Sequence, residues 1–105
     1  MSHDAMMMIR SDLVDRIDGI ASASSKIGLA ALCEQIDAIR RIARLHRLDV
    51  VEGLASLIET ATAYHGHGPV ILSYLDLMRD AVTSEAQDSH AQAAYAATLS
   101  LRLSA

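Results

Sequence analysis

The sequence contains no tryptophan and no phenylalanine, and its only aromatic residues are three tyrosines. A core built by this chain must therefore be aliphatic, made from Leu, Ile, Val, Ala and Met. One proline and five glycines in 105 residues leave few helix breakers, which favours long helices. The single cysteine, Cys33, excludes an intramolecular disulfide and fits a reducing compartment.

Long apolar runs and an excess of positive charge are also missing. No stretch approaches the ~20 apolar residues that span a bilayer, and the start at 1–4 lacks the cations of a secretion signal. We therefore expect a cytoplasmic protein with no membrane contact. The net charge of −4 and the pI near 5.6 have the wrong sign for general nucleic-acid binding, so nucleic acid is not the expected partner.

The spacing of the apolar residues is the main signal for structure. Apolar side chains recur every three or four residues through most of the chain, and no segment shows strand-like alternation. The length fits one domain, 1–105. We predict an all-α bundle of four to five antiparallel helices joined by short loops. The predicted inward residues are, helix by helix, Met6, Ile9, Leu13, Ile17 and Ile20; Leu29, Leu32, Ile36, Ile39 and Ala43; Val51, Leu54, Ile58 and Ala61; Ile71, Tyr74 or Leu75, Met78 and Val82; and Ala91, Ala94, Ala97 and Leu101.

Capping signals give the predicted helix boundaries. The second helix should begin near Ser25 or Lys26, and the third at Asp49, where acidic residues resemble a capping box. The glycines and the proline at 66–69 predict a tight turn between the third and fourth helices. Ser84, followed three residues later by Gln87, predicts the start of a fifth helix.

Four of the nine cationic residues lie close together at the end of the second predicted helix. Arg40, Arg44 and Arg47 have the spacing i, i+4 and i+7, so a continuing helix would place them in one row, with Arg41 beside it. Such a row could bind an acidic protein surface. The alternative is a solvated face in which Asp37 pairs with Arg41.

The residues that could carry catalysis form no recognised constellation. His65 and His67 flank Gly66, but no second ligand pair with metal spacing accompanies them. Cys33 follows a core position and is predicted to pack as a small hydrophobe. There is no glycine-rich phosphate loop and no nucleophile elbow. We therefore expect no enzyme activity, no metal and no cofactor.

Residues 18–36 resemble the phosphoacceptor region of histidine-containing phosphotransfer domains, which are four-helix bundles. In this sequence Asp18 stands where that family has its histidine, Ala21 where it has lysine and Ser22 where it has glycine. The resemblance implies a pseudo-phosphotransfer domain that docks a receiver domain without accepting phosphate. The residues that follow the family outline are Ile20, Ala23, Ser24, Ile27, Gly28, Leu29, Leu32 and Ile36.

The sequence thus predicts a non-catalytic interaction or signalling module with an acidic protein partner. The run Met6–Met8 cannot turn all of its side chains to one helix face, so at least one should meet a partner or solvent. A homodimer that covers it is one interpretation, and a core position or a fraying N-terminus is the other. Two alternatives stay open. One is an active phosphorelay protein that uses His46 as its acceptor, and the other is a small nucleic-acid-binding regulator that uses the second helix.

Overall fold

A computed structural model describes residues 3–65, 68 and 70–104 of the chain, without the side chains at 65, 103 and 104. These residues form five α-helices and no strand, which confirms the predicted all-α bundle. None of these helices is long and apolar enough to cross a membrane. The helices are α1 (His3–Ala23), α2 (Leu29–Leu45), α3 (Asp49–His65), α4 (Val70–Thr83) and α5 (Ser89–Ser104).

All five helices contribute to one cluster of buried aliphatic side chains. Helix α3 packs against α2, α4 and α5, while α1 lies mainly against α4. The predicted inward faces of α2, α3 and α4 are confirmed except at Leu29, which is 40% exposed. In α1, the core residues are Leu13, Ile17 and Ile20, and the earlier predicted positions Met6 and Ile9 are half-buried at its edge.

The link between α1 and α2 is longer than predicted. The N–H groups of Lys26 and Ile27 both donate to the carbonyl of Ala23, so these residues finish the last turn of α1. Helix α2 therefore begins at Leu29, after the extended N-cap Gly28, and not at Ser25 or Lys26. This later start leaves Leu29 in the first turn, where half of its side chain meets solvent.

Three residues, 46–48, separate the end of α2 from the start of α3 and form a turn that reverses the chain. Arg47 has a φ of 58° and is the only described non-glycine residue with positive φ. The Leu48 N–H donates to the Ala43 carbonyl at 2.9 Å and the Arg47 N–H to the Arg44 carbonyl at 3.3 Å, the hydrogen-bond pair of a Schellman cap. Because Arg47 lies beyond the helix, the predicted helical row of Arg40, Arg44 and Arg47 is wrong at its last member.

The fifth helix begins at Ser89, five residues later than its predicted start at Ser84. Asp88 is the N-cap, since its Oδ1 accepts the Ala91 N–H at 2.8 Å. Gln87 is unavailable for a capping box because its amide bonds elsewhere. Its Oε1 accepts the N–H of Val50 at 2.9 Å, and its Nε2 donates to the carbonyls of Ala81 and Ser84 at 3.2 Å. The Gln87 side chain thus hydrogen-bonds to backbone groups at both the start of α3 and the end of α4.

The inward face of α5 also differs from the prediction. Leu99 is buried, and Ala91 and Tyr95 pack against the core, whereas Ala94, Ala97 and Leu101 face solvent. In this orientation α5 makes two polar contacts with α4. The Tyr95 hydroxyl donates to Asp80 Oδ2 at 2.6 Å, and the Arg102 guanidinium donates to Ser73 Oγ at 2.8 Å.

The predicted break between the third and fourth helices is found between His65 and Val70. The Gly68 carbonyl accepts the Ile71 N–H at 3.0 Å and so opens α4. The tight turn predicted for 66–69 otherwise lies outside the described residues, as does the side-chain arrangement of His65 and His67.

Candidate functional site

The arginines of α2 divide into an inward part and an exposed part. Arg40 is half-buried and donates to Asp37 Oδ1 from both Nε, at 2.9 Å, and Nη2, at 2.6 Å. Arg41 pairs with the other carboxylate oxygen of Asp37 at 3.1 Å, which confirms the predicted i, i+4 pair. The guanidinium of Arg40 is therefore bound to a carboxylate of its own helix. Asp37, and then the negative charges of Glu59 and Glu52 on α3, raise the pKa of Arg40.

The exposed part forms a cationic surface at the end of α2. The side chains of Arg41 and Arg44 are 64% and 74% exposed, and Arg47 is exposed in the following turn. Arg44 has only a long ion pair with Glu52, 3.9 Å from Nε to Oε2. Leu45, which shares a helix face with Arg41 and directly follows Arg44, is 76% exposed. We call Arg41, Arg44, Leu45 and Arg47 the basic patch.

Glu59 lies behind this surface, at the junction of α2 and α3. Burial raises the pKa of its carboxyl, and the neighbouring negative charge of Asp37 raises it further, against the opposing effect of Arg40. Its Oε1 is buried without a hydrogen-bond partner. In contrast, the hydrogen bond from Arg40 lowers the pKa of Asp37. The pKa of Glu59 is therefore raised and that of Asp37 lowered, so Glu59 is the carboxyl group whose protonated form the fold favours.

Replacing Glu59 with glutamine should stabilise the protein at neutral pH. A carboxyl whose pKa is higher in the folded state supports folding below its unfolded pKa of about 4.3, and this support is lost as the pH rises through the folded value. Glu59→Gln keeps a neutral hydrogen-bond donor beside Asp37 at every pH. Urea unfolding followed by circular dichroism should show the variant more stable than wild type at pH 7 and nearly equal to it at pH 4.

The matched control is Glu34→Gln, which removes an exposed carboxylate from α2. That variant should differ little from wild type at either pH, because no buried charge is removed. A Glu59→Gln variant that is less stable than wild type at pH 7 would show that the ionised carboxylate holds α2 and α3 together through the arginines.

Cys33 does not occupy the predicted core position, whereas His46 lies at the end of the second helix as predicted. Cys33 is half-exposed and outside the core cluster, and burial followed by the charge of Glu59 raises the pKa of its thiol. A raised pKa disfavours the reactive thiolate. His46 is the C-cap of α2, half-buried, with Nδ1 enclosed and unpartnered. A helix C-terminus is the negative end of the dipole, which disfavours an added phosphoryl group.

Asp18, the residue at the phosphoacceptor position of the resemblance, is exposed on α1 and faces α4. Its Oδ1 pairs with Arg79 Nε at 3.1 Å. The pair joins α1 and α4 across the surface of the bundle. Among the described residues, no group of three or more His, Cys, Asp or Glu side chains is arranged to hold a metal ion.

The comparisons with known proteins give no relative. No protein-family model, curated protein or solved structure matches this chain. The resemblance to phosphotransfer domains therefore stays a prediction, and function must be argued from the geometry of the molecule itself.

Two residues of this region were missed by the sequence reasoning. Leu45 lies off the heptad seam and looks in the sequence like one more aliphatic residue of a helix, so only its exposure in the structure distinguishes it. Glu59 belongs to a second helix, and its meeting with Asp37 depends on how α3 packs on α2. Charge spacing alone predicted Arg41 and Arg44 correctly as part of an exposed cationic group, but it could not separate them from Arg40.

Proposed function

We propose that this protein is a non-catalytic helical interaction module that binds an acidic protein partner through the basic patch. The exposed Leu45, which shares a helix face with the exposed Arg41 and directly follows the exposed Arg44, carries the proposal. A group of arginines that only solubilises a helix has no need of a large exposed apolar side chain beside it. An interface does, because apolar anchors surrounded by charged groups are where binding energy concentrates.

Arginine suits this role chemically. Its planar guanidinium donates two parallel hydrogen bonds to a carboxylate and is less strongly hydrated than the lysine ammonium. The intramolecular ion pair of Arg44 competes only weakly with a partner. Arg44 reaches Glu52 only at 3.9 Å, and exposed pairs of this kind contribute about 0–1 kcal/mol. An incoming carboxylate can therefore displace this pair at small cost.

The partner chemistry follows from the patch. A matching surface presents carboxylates around an apolar side chain, as one face of an acidic amphipathic helix does. Docking of a receiver domain by a pseudo-phosphotransfer module, which the resemblance implies, is one instance of this class. In that case Asp18, which stands at the phosphoacceptor position of the resemblance, transfers no phosphate.

The test uses a fluorescent model peptide, an amphipathic helix of glutamate and leucine, and its counterpart with serine in place of leucine. Wild-type protein should bind the first peptide more tightly than the second, with affinity falling as salt is added. The double variant Arg44→Glu and Arg47→Glu should weaken binding about tenfold or more at low salt, by fluorescence anisotropy, with little change in melting temperature.

Two further variants make the test specific. Arg16→Glu with Lys26→Glu applies the same change in net charge and also breaks one exposed ion pair, that of Arg16 with Asp12, so it should bind nearly as wild type does. Arg47→Gly removes a patch charge while relieving the left-handed backbone, so a loss of binding cannot come from unfolding. Equal loss in the Arg16 and Lys26 control would reduce the effect to overall charge, and no loss in the patch variants would contradict the proposal.

The phosphorelay alternative has its own readout. Incubation with acetyl phosphate should leave the mass of the protein unchanged, since Asp18 cannot form a phosphohistidine and His46 is half-buried at the negative end of α2. An acid-labile phosphoryl adduct that is lost in a His46→Ala variant would favour the active phosphorelay protein instead.

A further inference from the structure

The outward face of α5 is a second exposed surface, and its character is opposite to that of the basic patch. Arg102 is the only charged residue in 89–104, and its guanidinium is turned inward onto Ser73. On the inner side of the helix, Leu99 is buried and Tyr95 is held by Asp80. What remains for solvent is a face without charge, on a chain whose net charge is −4.

This face carries one large apolar side chain and, before it along the helix, mostly small residues. Leu101 is 73% exposed, near the end of the helix. Before it along the chain lie four exposed residues at the spacing i, i+3, i+4 and i+7, which is the spacing that forms a hole for a side chain from a facing helix. The four are His90, Ala93, Ala94 and Ala97.

We propose that a second copy of this chain covers this face, with the two α5 helices packed antiparallel across a two-fold axis near Ala97. Leu101 lies four residues after Ala97, and the centre of the hole lies about four residues before it. An antiparallel pair centred there places each Leu101 opposite the hole of the other copy. The surface is therefore self-complementary, as a two-fold interface requires.

The absence of charge on the α5 face favours a second copy of the chain over an acidic partner. Two copies of an acidic protein repel wherever their charged faces meet, and like charges brought together cost several kcal/mol at an interface. The α5 face allows two copies to approach without setting like charges against each other. An acidic partner would gain nothing there, because no cation on this face would receive its carboxylates.

The apolar surface continues beyond α5 itself. An open cavity of about 430 Å³ runs between α3 and α5, lined by Gly53, Leu57, Ala93 and Ala96 among others. Leu57 is 43% exposed on its α3 side. A second copy seated on α5 would cover this edge as well, so the contact is wider than one helix. This site is distinct from the methionine run of α1, from which the sequence suggested a dimer.

The first test is the mass of the full chain in solution by sedimentation equilibrium. Wild type should be a dimer at tens of micromolar, and Ala97→Glu should raise the dimer dissociation constant by more than about tenfold, because two glutamates meet at the axis. Ala31→Glu adds the same charge to an exposed alanine of α2 and should leave the dimer intact. A monomeric wild type, or a dimer that survives Ala97→Glu, would overturn the proposal.

Crosslinking tests the direction of the helices. On a Cys33→Ser background, a chain with Leu101→Cys mixed with a chain carrying Ala93→Cys should form a disulfide heterodimer on mild oxidation. Two chains that both carry Leu101→Cys should crosslink poorly, since those residues lie at opposite ends of the pair. The reverse pattern would indicate parallel helices and overturn the antiparallel arrangement.

Discussion

Replacing Ile36 with alanine is expected to lower the free energy of unfolding by about 2–5 kcal/mol. Ile36 is fully buried in α2 at the contact with α3, so the change removes apolar surface from the core and leaves a cavity behind. Urea denaturation followed by circular dichroism measures the effect. Leu32 and Leu54, which share this environment, should give losses of the same order when truncated.

The control for this prediction is Leu45→Ala in the same helix. Leu45 is 76% exposed, so its truncation should change the free energy of unfolding by less than about 0.5 kcal/mol. A loss below about 1 kcal/mol for Ile36→Ala, or a loss for Leu45→Ala as large as that of Ile36→Ala, would show that the buried face of α2 has been assigned wrongly.

Gln87→Ala should cost about 1–3 kcal/mol, although it removes no core side chain. The substitution deletes three hydrogen bonds at once and leaves the Val50 N–H and the carbonyls of Ala81 and Ser84 to find other partners. Each such bond contributes about 0.5–1.5 kcal/mol net, and a buried group left unpaired costs more. Thermal unfolding and urea denaturation of the variant measure the loss.

Two substitutions separate the roles of the Gln87 amide. Gln87→Glu keeps an acceptor for the Val50 N–H but turns a carboxylate toward two carbonyl oxygens, so it should recover only part of the loss. Gln35→Ala removes an exposed glutamine from α2 and should be nearly neutral. A Gln87→Ala variant as stable as Gln35→Ala would mean that water replaces these bonds without cost.

The sequence predicted those parts of the fold in which large aliphatic residues recur regularly. Leu32, Ile36 and Ile39 occur at intervals that fit only one helix face, and that face is buried. Helix α5 gave no such signal. Alanine occupies positions 91, 93, 94, 96 and 97, so several faces look equally apolar and the wrong one was chosen.

Helix ends were harder to predict because capping residues are common and tertiary contacts decide between them. Ser84 and Asp88 are both acceptable N-caps, and Asp88 is used because Gln87 bonds to a residue 37 positions away. The end of α2 was predicted too late for a different reason. Its left-handed position holds Arg47 where glycine is usual, so nothing in the sequence marked the stop.

The candidate surface was predictable in composition but not in arrangement. The clustering of arginines in 40–47 is visible in the sequence, and the structure shows that three of them are exposed. The division between Arg40, bound to Asp37, and the exposed Arg41 and Arg44 depends on how α2 is rotated against α3. That rotation is set by the packing of the whole core, which no short motif records.

The contact between Tyr95 and Asp80 affects the pH at which the Tyr95 phenol ionises, and this ionisation can be followed by absorbance. Without tryptophan, its near-ultraviolet spectrum comes from three tyrosines. Burial, and then the hydrogen bond and charge of Asp80, raise the pKa of the Tyr95 phenol to about 12. A chain in which α5 has come away from α4 would lose both effects, and this phenol would ionise at lower pH. Tyrosinate absorbance in alkaline solution therefore reports, without any label, whether the last helix is docked.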